Sequence, residues 1–526
     1  MTDPVIARPA PPPVAPIFGA LLLVMLLAAL DSTIVSTALP TIAGEFGGLE
    51  QLSWIVTAYM LAQTVATSIY GKMGDLFGHK IILQSALLLF LLGSVLCGLS
   101  RSMVELIAFR ALQGLGGGGL SVLTMTAVAD IVPLRERGRL QGYIGAVYGL
   151  STVLGPLIGG FFVEHLSWRW IFYVNLPLGL LALGIIAVAF KAPARPQQRP
   201  SIDVAGAALM TIVLTAFVLF TSLGGHSFAW SSPAIRALMA LSAVALVGFI
   251  SVESRAVEPI LPLKLFANST FLIACTVGFI VGLAMFGSIT FLPVYLQVVK
   301  GVSPSAAGLQ LTPMMAGVLI TSIFSGQFIS RVGRYRKLPI AGTAMMTLSF
   351  ALLSTVGQSS NTWAASAYAL LLGLGIGLVM QVLVVAVQNA VEYRDLGTAT
   401  SGATLFRSTG GSVGVALFGA IFATNFAAGV AAHFQQEFNL APTDSAALAA
   451  LPAATKQIYL EVFTAALQPV FLTAATLTAL AFVLCWLLKD APLIETPLHD
   501  ALRDHPFDYD LLHSESQAES LPGASK

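Results

Sequence analysis

The sequence predicts an all-α membrane protein of fourteen transmembrane helices, arranged as two six-helix bundles with two further helices inserted between them. Three observations predict this. The composition is that of a chain in lipid. Apolar runs long enough to span a bilayer recur along the sequence. Its two ends repeat one another at a constant offset.

Hydrophobic residues make up 56% of the 526 residues and charged residues 10%, against about 25% charged in soluble domains. The 26 Lys plus Arg and 25 Asp plus Glu are too few to coat several soluble domains, and the same numbers exclude disorder for most of the chain. A net charge of +1 gives no broad basic field for nucleic acid. Cys97, Cys275 and Cys485 lie in apolar runs, and their odd number implies no disulfide framework.

The elements follow in order. Residues 1–16 are Pro-rich (Pro4, Pro9, Pro11, Pro12, Pro13, Pro16) and are expected to be a disordered cytoplasmic segment. They lack the basic region and cleavage site of a secretory signal, so the first helix is expected to be retained. A span needs about 20 apolar residues. Fourteen runs qualify: 17–40, 52–70, 81–99, 104–128, 140–163, 171–190, 204–223, 234–252, 271–297, 305–329, 338–356, 363–388, 399–425 and 466–488. Backbone polar groups must be paired in lipid, and runs this long that do not alternate are helices rather than strands. The first bundle is expected over 17–190, a linker with two extra helices over 191–265, and the second bundle over 266–488. An outer loop of possible short helices is placed at 426–465, and a mobile cytoplasmic tail at 489–526.

Basic residues set the orientation. With the N-terminus inside, cytoplasmic segments hold 19 of the 26 Lys plus Arg, including Lys72, Lys80, Arg135, Arg137, Arg139, Lys191, Arg195, Arg199, Arg331, Arg334, Arg336 and Lys337. Five lie outside (Arg101, Arg169, Arg236, Lys300, Lys456), and Arg110 and Arg407 lie within the membrane. An even helix count puts both termini in the cytoplasm of a plasma-membrane protein.

Gly71, Asp75 and Gly78 after the second run align with Gly326, Ser330 and Gly333 after the tenth at an offset of 255. The same offset takes Gly155 and Gly159 onto Gly410 and Gly414. Runs 1–6 and 9–14 are therefore parallel repeats, a transporter architecture.

At these residues the chain resembles the major facilitator superfamily, in particular its fourteen-helix drug:proton antiporter branch, over roughly residues 17–488. Gly71-x-x-x-Asp75-x-x-Gly78-His79-Lys80 resembles the superfamily loop motif, with His79 where Arg or Lys is usual. Arg110-x-x-Gln113-Gly114 resembles the fourth-helix motif. Gly145-x-x-x-Gly149 and Gly155-Pro156-x-x-Gly159-Gly160 resemble the antiporter motif of the fifth helix. The stretches Leu30-Asp31 to Pro40, Ser167-Trp168-Arg169-Trp170 to Asn175-Leu-Pro177, and Pro293-Val-Tyr295-Leu-Gln297 add to it. The tenth run lacks the acidic residue of some exporters of divalent organic cations.

Ionisable groups in a bilayer usually face a cavity or a partner. Asp31, Arg110, Gln113, Tyr59 and Gln63 fall at similar depth, about 9–15 Å from the outer helix ends. They form a candidate proton-coupling site (Asp31, Arg110) with substrate-cavity neighbours; a static buried ion pair is the alternative. In the second half Phe286, Tyr295, Gln297, Gln381, Gln388, Phe406 and Arg407 are candidate cavity residues, with packing, or for Arg407 pairing with helix carbonyls, as the alternative. Asp75 can cap a neighbouring helix. With Gly71, Gly78, Lys80, Asp130, Arg137 and Arg139 it forms a cluster that, by the resemblance, holds the outward-open state. Gly145, Gly149, Gly155, Gly159 and Gly160 with Pro156 allow close helix approach and a bend.

Gly116-Gly117-Gly118-Gly119 is not a phosphate loop, since no Gly-Lys-Ser/Thr follows. No Cys/His spacing suits a metal, so neither cofactor nor metal is expected. Trp54 and Trp168 read as interfacial anchors; His165, His226 and His433 read as solvated. No catalytic constellation appears, so an enzyme is not expected. The expected function is export of small amphipathic compounds by alternating access. Proton coupling, antiport and multidrug efflux are implied by the resemblance. The alternative is a mover of a lipid or metabolite for the cell envelope. The partners are the substrate, protons and the bilayer, and the protein is expected to be a monomer.

Overall fold

The structure, a computed structural model, describes residues 14–46, 51–132, 134–190, 202–225, 228–302, 304–358, 360–434 and 452–493. Lys191, Arg195, Arg199 and His226, the centre of the expected outer loop, most of the Pro-rich segment and most of the tail lie outside these residues.

The described residues are helical, with no strand beyond one isolated bridge, Gly224 to Phe228. The first six long helices are α1 (Val14–Phe46), α2 (Leu52–Phe77), α3 (His79–Leu99), α4 (Met103–Ile131), α5 (Leu134–His165) and α6 (Asn175–Ala189). The next two are α7 (Val204–Leu223) and α8 (Pro233–Glu253). The last six are α9 (Ser269–Val298), α10 (Thr312–Val332), α11 (Lys337–Leu353), α12 (Thr362–Asn389), α13 (Leu396–His433) and α14 (Ala453–Cys485). Twelve helical segments are long and apolar enough to cross a membrane. Two of the predicted spans are not among them: α11, with 17 residues, and α2.

Two predicted runs are broken. A single turn, Trp170–Tyr173, precedes α6, and a short helix, Pro304–Gln310, precedes α10. Each break lies just before a proline, Pro177 or Pro313, which has no N–H for the carbonyl four residues back. Side chains cap several starts. Ser102 accepts from Glu105 N at 3.3 Å, Asp203 from Gly206 N at 2.8 Å, and Asn268 from Thr270 N at 2.9 Å. Gly78 (φ 100°) and Gly333 (φ 71°), which share one position of the repeat, both turn the chain with a positive φ that glycine adopts freely.

The outer loop is shorter than its predicted span of 426–465. Helix α13 continues to His433 and α14 begins at Ala453. Alanines suit the extensions, and an aromatic cluster joins them. Phe422 and Phe426 stack at 5.6 Å, and both meet Phe463 edge-on at 5.1 and 5.8 Å.

Packing repeats as the sequence does. In the first half α1 packs on α5 and α6, and α4 on α2 and α3; in the second, α9 packs on α13 and α14, and α12 on α10 and α11. The halves meet through α5 with α10 and α2 with α13. Helices α7 and α8 pack on each other, and α7 also touches α2 and α13. The connections α2–α3, α4–α5, α10–α11 and α12–α13 lie at one end of the bundle, called here the basic end.

Candidate functional site

Two polar clusters stand out, one inside the first half and one where the halves meet at the basic end. In the first, Asp31 on α1 is fully buried. Arg110 Nη1 donates to its Oδ2 at 2.6 Å, and Gln113 Nε2 to its Oδ1 at 2.7 Å. Asn175 Nδ2 donates to the same oxygen at 3.2 Å. Arg110 also donates to Gln113 Oε1 at 2.7 Å and lies over the Tyr59 ring, 4.1 Å from its centroid. Helix spacing explains the meeting of Arg110 and Gln113, which stand three residues apart on one face of α4. Close approach is possible because the neighbouring glycines have no side chain. A Cβ on Gly114 would lie 2.4 Å from Tyr59 O, and one on Gly93 would lie 2.5 Å from the Gln113 backbone.

Asp31, Arg110, Gln113 and Tyr59 thus come together as the sequence suggests. Gln63 does not join them; its carbonyl accepts from Thr67. Ser94 and Asn175 complete the network, Ser94 Oγ accepting from Gln113 at 2.7 Å and from Asn175 at 3.2 Å. Sequence reasoning missed Ser94, a lone hydroxyl in an apolar run. Asn175 was visible only as part of a motif. Trp168 is not an interfacial anchor. It is buried, and its Nε1 donates to Glu45 at 2.6 Å, beside an Arg169–Glu45 ion pair at 2.8 Å.

In the second cluster Asp75 caps α13. Its Oδ1 accepts from Gly397 N at 2.7 Å, and its Oδ2 from Thr398 N and Oγ1 at 2.7 and 2.8 Å. These are orphan amides at a helix N-terminus, where the dipole favours an anion. The capped helix belongs to the other half of the chain. His79 is buried, with Nδ1 2.8 Å from Asp130 Oδ2 and Nε2 3.5 Å from Asp75 Oδ1. Tyr393 donates to Asp130 Oδ1 at 2.5 Å. Gly71 lets α2 and α13 touch, since a Cβ there would lie 2.2 Å from Ser401 Oγ.

The other predicted members differ. Lys80 does not join the carboxylates; it donates to Ala187 O at 2.9 Å and so caps the end of α6. Arg139 is exposed. Arg137 is buried and donates to Ala129 O and Val132 O at the end of α4. Thr398 and Tyr393 were not legible, because nothing local marks the residues that meet a distant carboxylate.

Along α5, Gly138, Gly142, Gly145 and Gly149 form a stripe against α10 and α12. Added Cβ atoms would lie 2.6 Å from Ile329, 2.4 Å from Ser322 O, 2.8 Å from Gln381 and 3.3 Å from Met315 O. Gly155 and Gly159 instead face α1 at Thr33 and Thr37. Gly160 has nothing within 4 Å and Pro156 is exposed, so neither serves the close contacts.

The second-half cavity candidates scatter. Tyr295 donates to Gly357 O at 3.0 Å in an outer connection. Gln388 ties α12 to Met125 O and Thr400 at 3.3 Å each. Phe406 packs on Phe266, with ring centroids 5.9 Å apart. Phe286 packs against Gly411, and Gln381 sits beside Gly145. Gln297 is half-buried. Arg407 lines a cavity between α9, α12 and α13.

The Major Facilitator Superfamily profile matches residues 21–415. The chain belongs to the major facilitator superfamily. It is similar to an uncharacterised MFS-type transporter of Mycobacterium tuberculosis, 43% identical over 490 residues, 93% of this chain and 71% of the relative. It is also similar to the multidrug transporter protein MdtP of Bacillus subtilis, 42% identical over 402 residues, 76% of this chain and 74% of that protein. The fold is like that of the proton:xylose symporter XylE, with a TM-score of 0.62 at 15% identity over 93% of this chain and 98% of XylE. This major facilitator protein is a multi-pass membrane transporter.

Proposed function

We propose that the protein is a proton-coupled antiporter that exports amphipathic organic compounds, with Asp31 as the proton-carrying group. It spans the membrane fourteen times, as two six-helix halves with α7 and α8 beside them, and its basic end faces the cytoplasm. The observation that carries the reading is the buried Asp31–Arg110 pair at 2.6 Å. An ion pair at bilayer depth is costly and tends to mark an ion or proton pathway. Asp31 accepts from donors on α4 and α6, so movement among α1, α4 and α6 changes its partners.

The Asp75 cap is the proposed gate. It joins the halves at the basic end, where α5 and α10 are also in close contact, which corresponds to an outward-facing state. Opening that end separates Asp75 from Gly397 and Thr398. The multidrug name of the MdtP relative supports a broad substrate range. The test is transport of a fluorescent amphipathic dye in proteoliposomes under an imposed pH gradient. Uphill dye movement that collapses with the gradient supports the reading. Movement that ignores the gradient sinks proton coupling, and no movement for any member of a chemically varied panel sinks the exporter reading.

A further inference from the structure

Two buried basic side chains of the helices each hold a carboxylate. Arg110 holds Asp31 at 2.6 Å, and Lys72 holds Glu258 at 2.6 Å. Arg407, on α13, makes no ion pair, hydrogen bond or ring contact with any described residue. Arg407 stands eleven residues into α13, about 16 Å from its start, and lines a cavity with Ala274, Val281, Met380, Leu383, Val384 and Thr404.

An arginine keeps its proton in proteins, so this charge cannot be discharged by titration. No carboxylate among the described residues pairs with it; Asp31, the deep carboxylate of α1, is taken by Arg110. The Asp31–Arg110 pair sums to zero, so Arg407 sets the sign of the central region. Its planar fork suits two oxygens of one oxyanion, and the surrounding walls are almost wholly apolar. An apolar lining around one placed charge has the chemistry of an amphipathic ligand site.

We propose that Arg407 binds the anionic group of the substrate, a sulfonate, carboxylate or phosphate carried on an apolar body. The proposal rests on the exporter reading and names its substrate class. Such a substrate does not compete with the proton at Asp31 as a cation would. The oxyanion could belong to a free organic compound or to a lipid headgroup, and the test separates the two.

The test compares two dyes with one arene skeleton, 1-anilinonaphthalene-8-sulfonate and the neutral N-phenyl-1-naphthylamine. Each is titrated into the full chain in phosphatidylcholine nanodiscs, with empty nanodiscs as the blank. The wild type binds the sulfonate more tightly. Arg407→Gln weakens the sulfonate by about tenfold to a hundredfold, the range of a hydrogen bond to a charged group, and leaves the neutral dye within about twofold. Arg407→Lys, which keeps the charge and guards against a merely misfolded Gln variant, retains part of the preference. Displacement of the sulfonate by added phosphatidylglycerol assigns the site to a lipid headgroup; retention assigns it to free organic anions.

Equal affinity of the wild type for both dyes overturns the proposal, as does equal loss of both dyes in Arg407→Gln with Arg407→Lys folded. The exporter reading has its own readout in dye movement under a pH gradient. Transport of the neutral dye without a sulfonate preference leaves that reading standing while this one fails.

Discussion

Asp31 was legible because a lone carboxylate in an apolar run is conspicuous, and its depth matched that of Arg110. What depth could not show is how fully it is satisfied. It takes N–H donors from Arg110, Gln113 and Asn175, and this changes what a substitution reports. Asp31→Asn leaves Arg110 as a buried cation without its partner, a loss of about 3–5 kcal/mol. The expected result is a clear drop in thermal unfolding temperature in detergent, partly restored in Asp31→Asn/Arg110→Gln while pH-driven uptake stays absent. Equal unfolding temperatures for wild type and both variants would remove the stabilising role. At the gate, Asp75→Ala strips the amides of Gly397 and Thr398 of their acceptor. Ser401→Cys, which lies against Gly71 in the closed contact, should then react faster with a maleimide. An unchanged labelling rate would argue that the cap does not hold the basic end shut, because a group that biases conformation must shift populations.

At the scale of elements, the glycine stripe of α5 separates residues that sequence spacing lumps together. Gly142→Val meets the Ser322 carbonyl, which a Cβ would already approach to 2.4 Å, whereas Gly160 is open. Overpacking costs about 1–3 kcal/mol. Gly142→Val should therefore lower the unfolding temperature and slow transport, while Gly160→Ala should do neither; equal effects would mean that α5 and α10 need not touch. The connector between α8 and α9 had no role in the sequence reading. In the structure it reaches both halves: Glu258 pairs with Lys72 on α2 at 2.6 Å, Lys264 pairs with Asp395 at 2.8 Å, and Asn268 donates to Ala390 O at 2.7 Å. Glu258→Gln leaves Lys72 buried and unpaired. We expect it to weaken closure of the basic end by about 1–3 kcal/mol, seen as faster labelling of the same Ser401→Cys probe. A rate equal to that of the parent would confine the connector to a passive link.

For the whole molecule, the halves pack by one pattern used twice, and the contacts between them, α5 with α10 and α2 with α13, exchange under the same repeat. A transporter that rocks about those contacts must have its basic end on one fixed side. The three native cysteines are buried, so an impermeant maleimide can report orientation with little background. A cysteine at Arg334 should be labelled only from the cytoplasmic side of oriented vesicles, and one at Gln358 only from the outer side. Labelling in the reverse sense would invert the proposed direction of the cycle.

Sequence alone determined the all-helical class, the order of the helices, the repeat, and the Asp31–Arg110 meeting. Those depend on hydrophobic length, periodicity and depth, which are local or additive along the chain. Tertiary structure decided which polar groups meet across helices far apart in sequence. Asp75 finds Thr398, Asn175 finds Asp31, and Lys80 goes to the end of α6 rather than to the carboxylates beside it. It also left Arg407 without a hydrogen-bond or ion-pair partner among the described residues, and dispersed Tyr295, Gln388 and Phe406, which the sequence reading had grouped. The physical reason is that a hydrogen bond requires a partner within about 3 Å, and where two helices place their side chains relative to each other is set by packing that no single helix encodes.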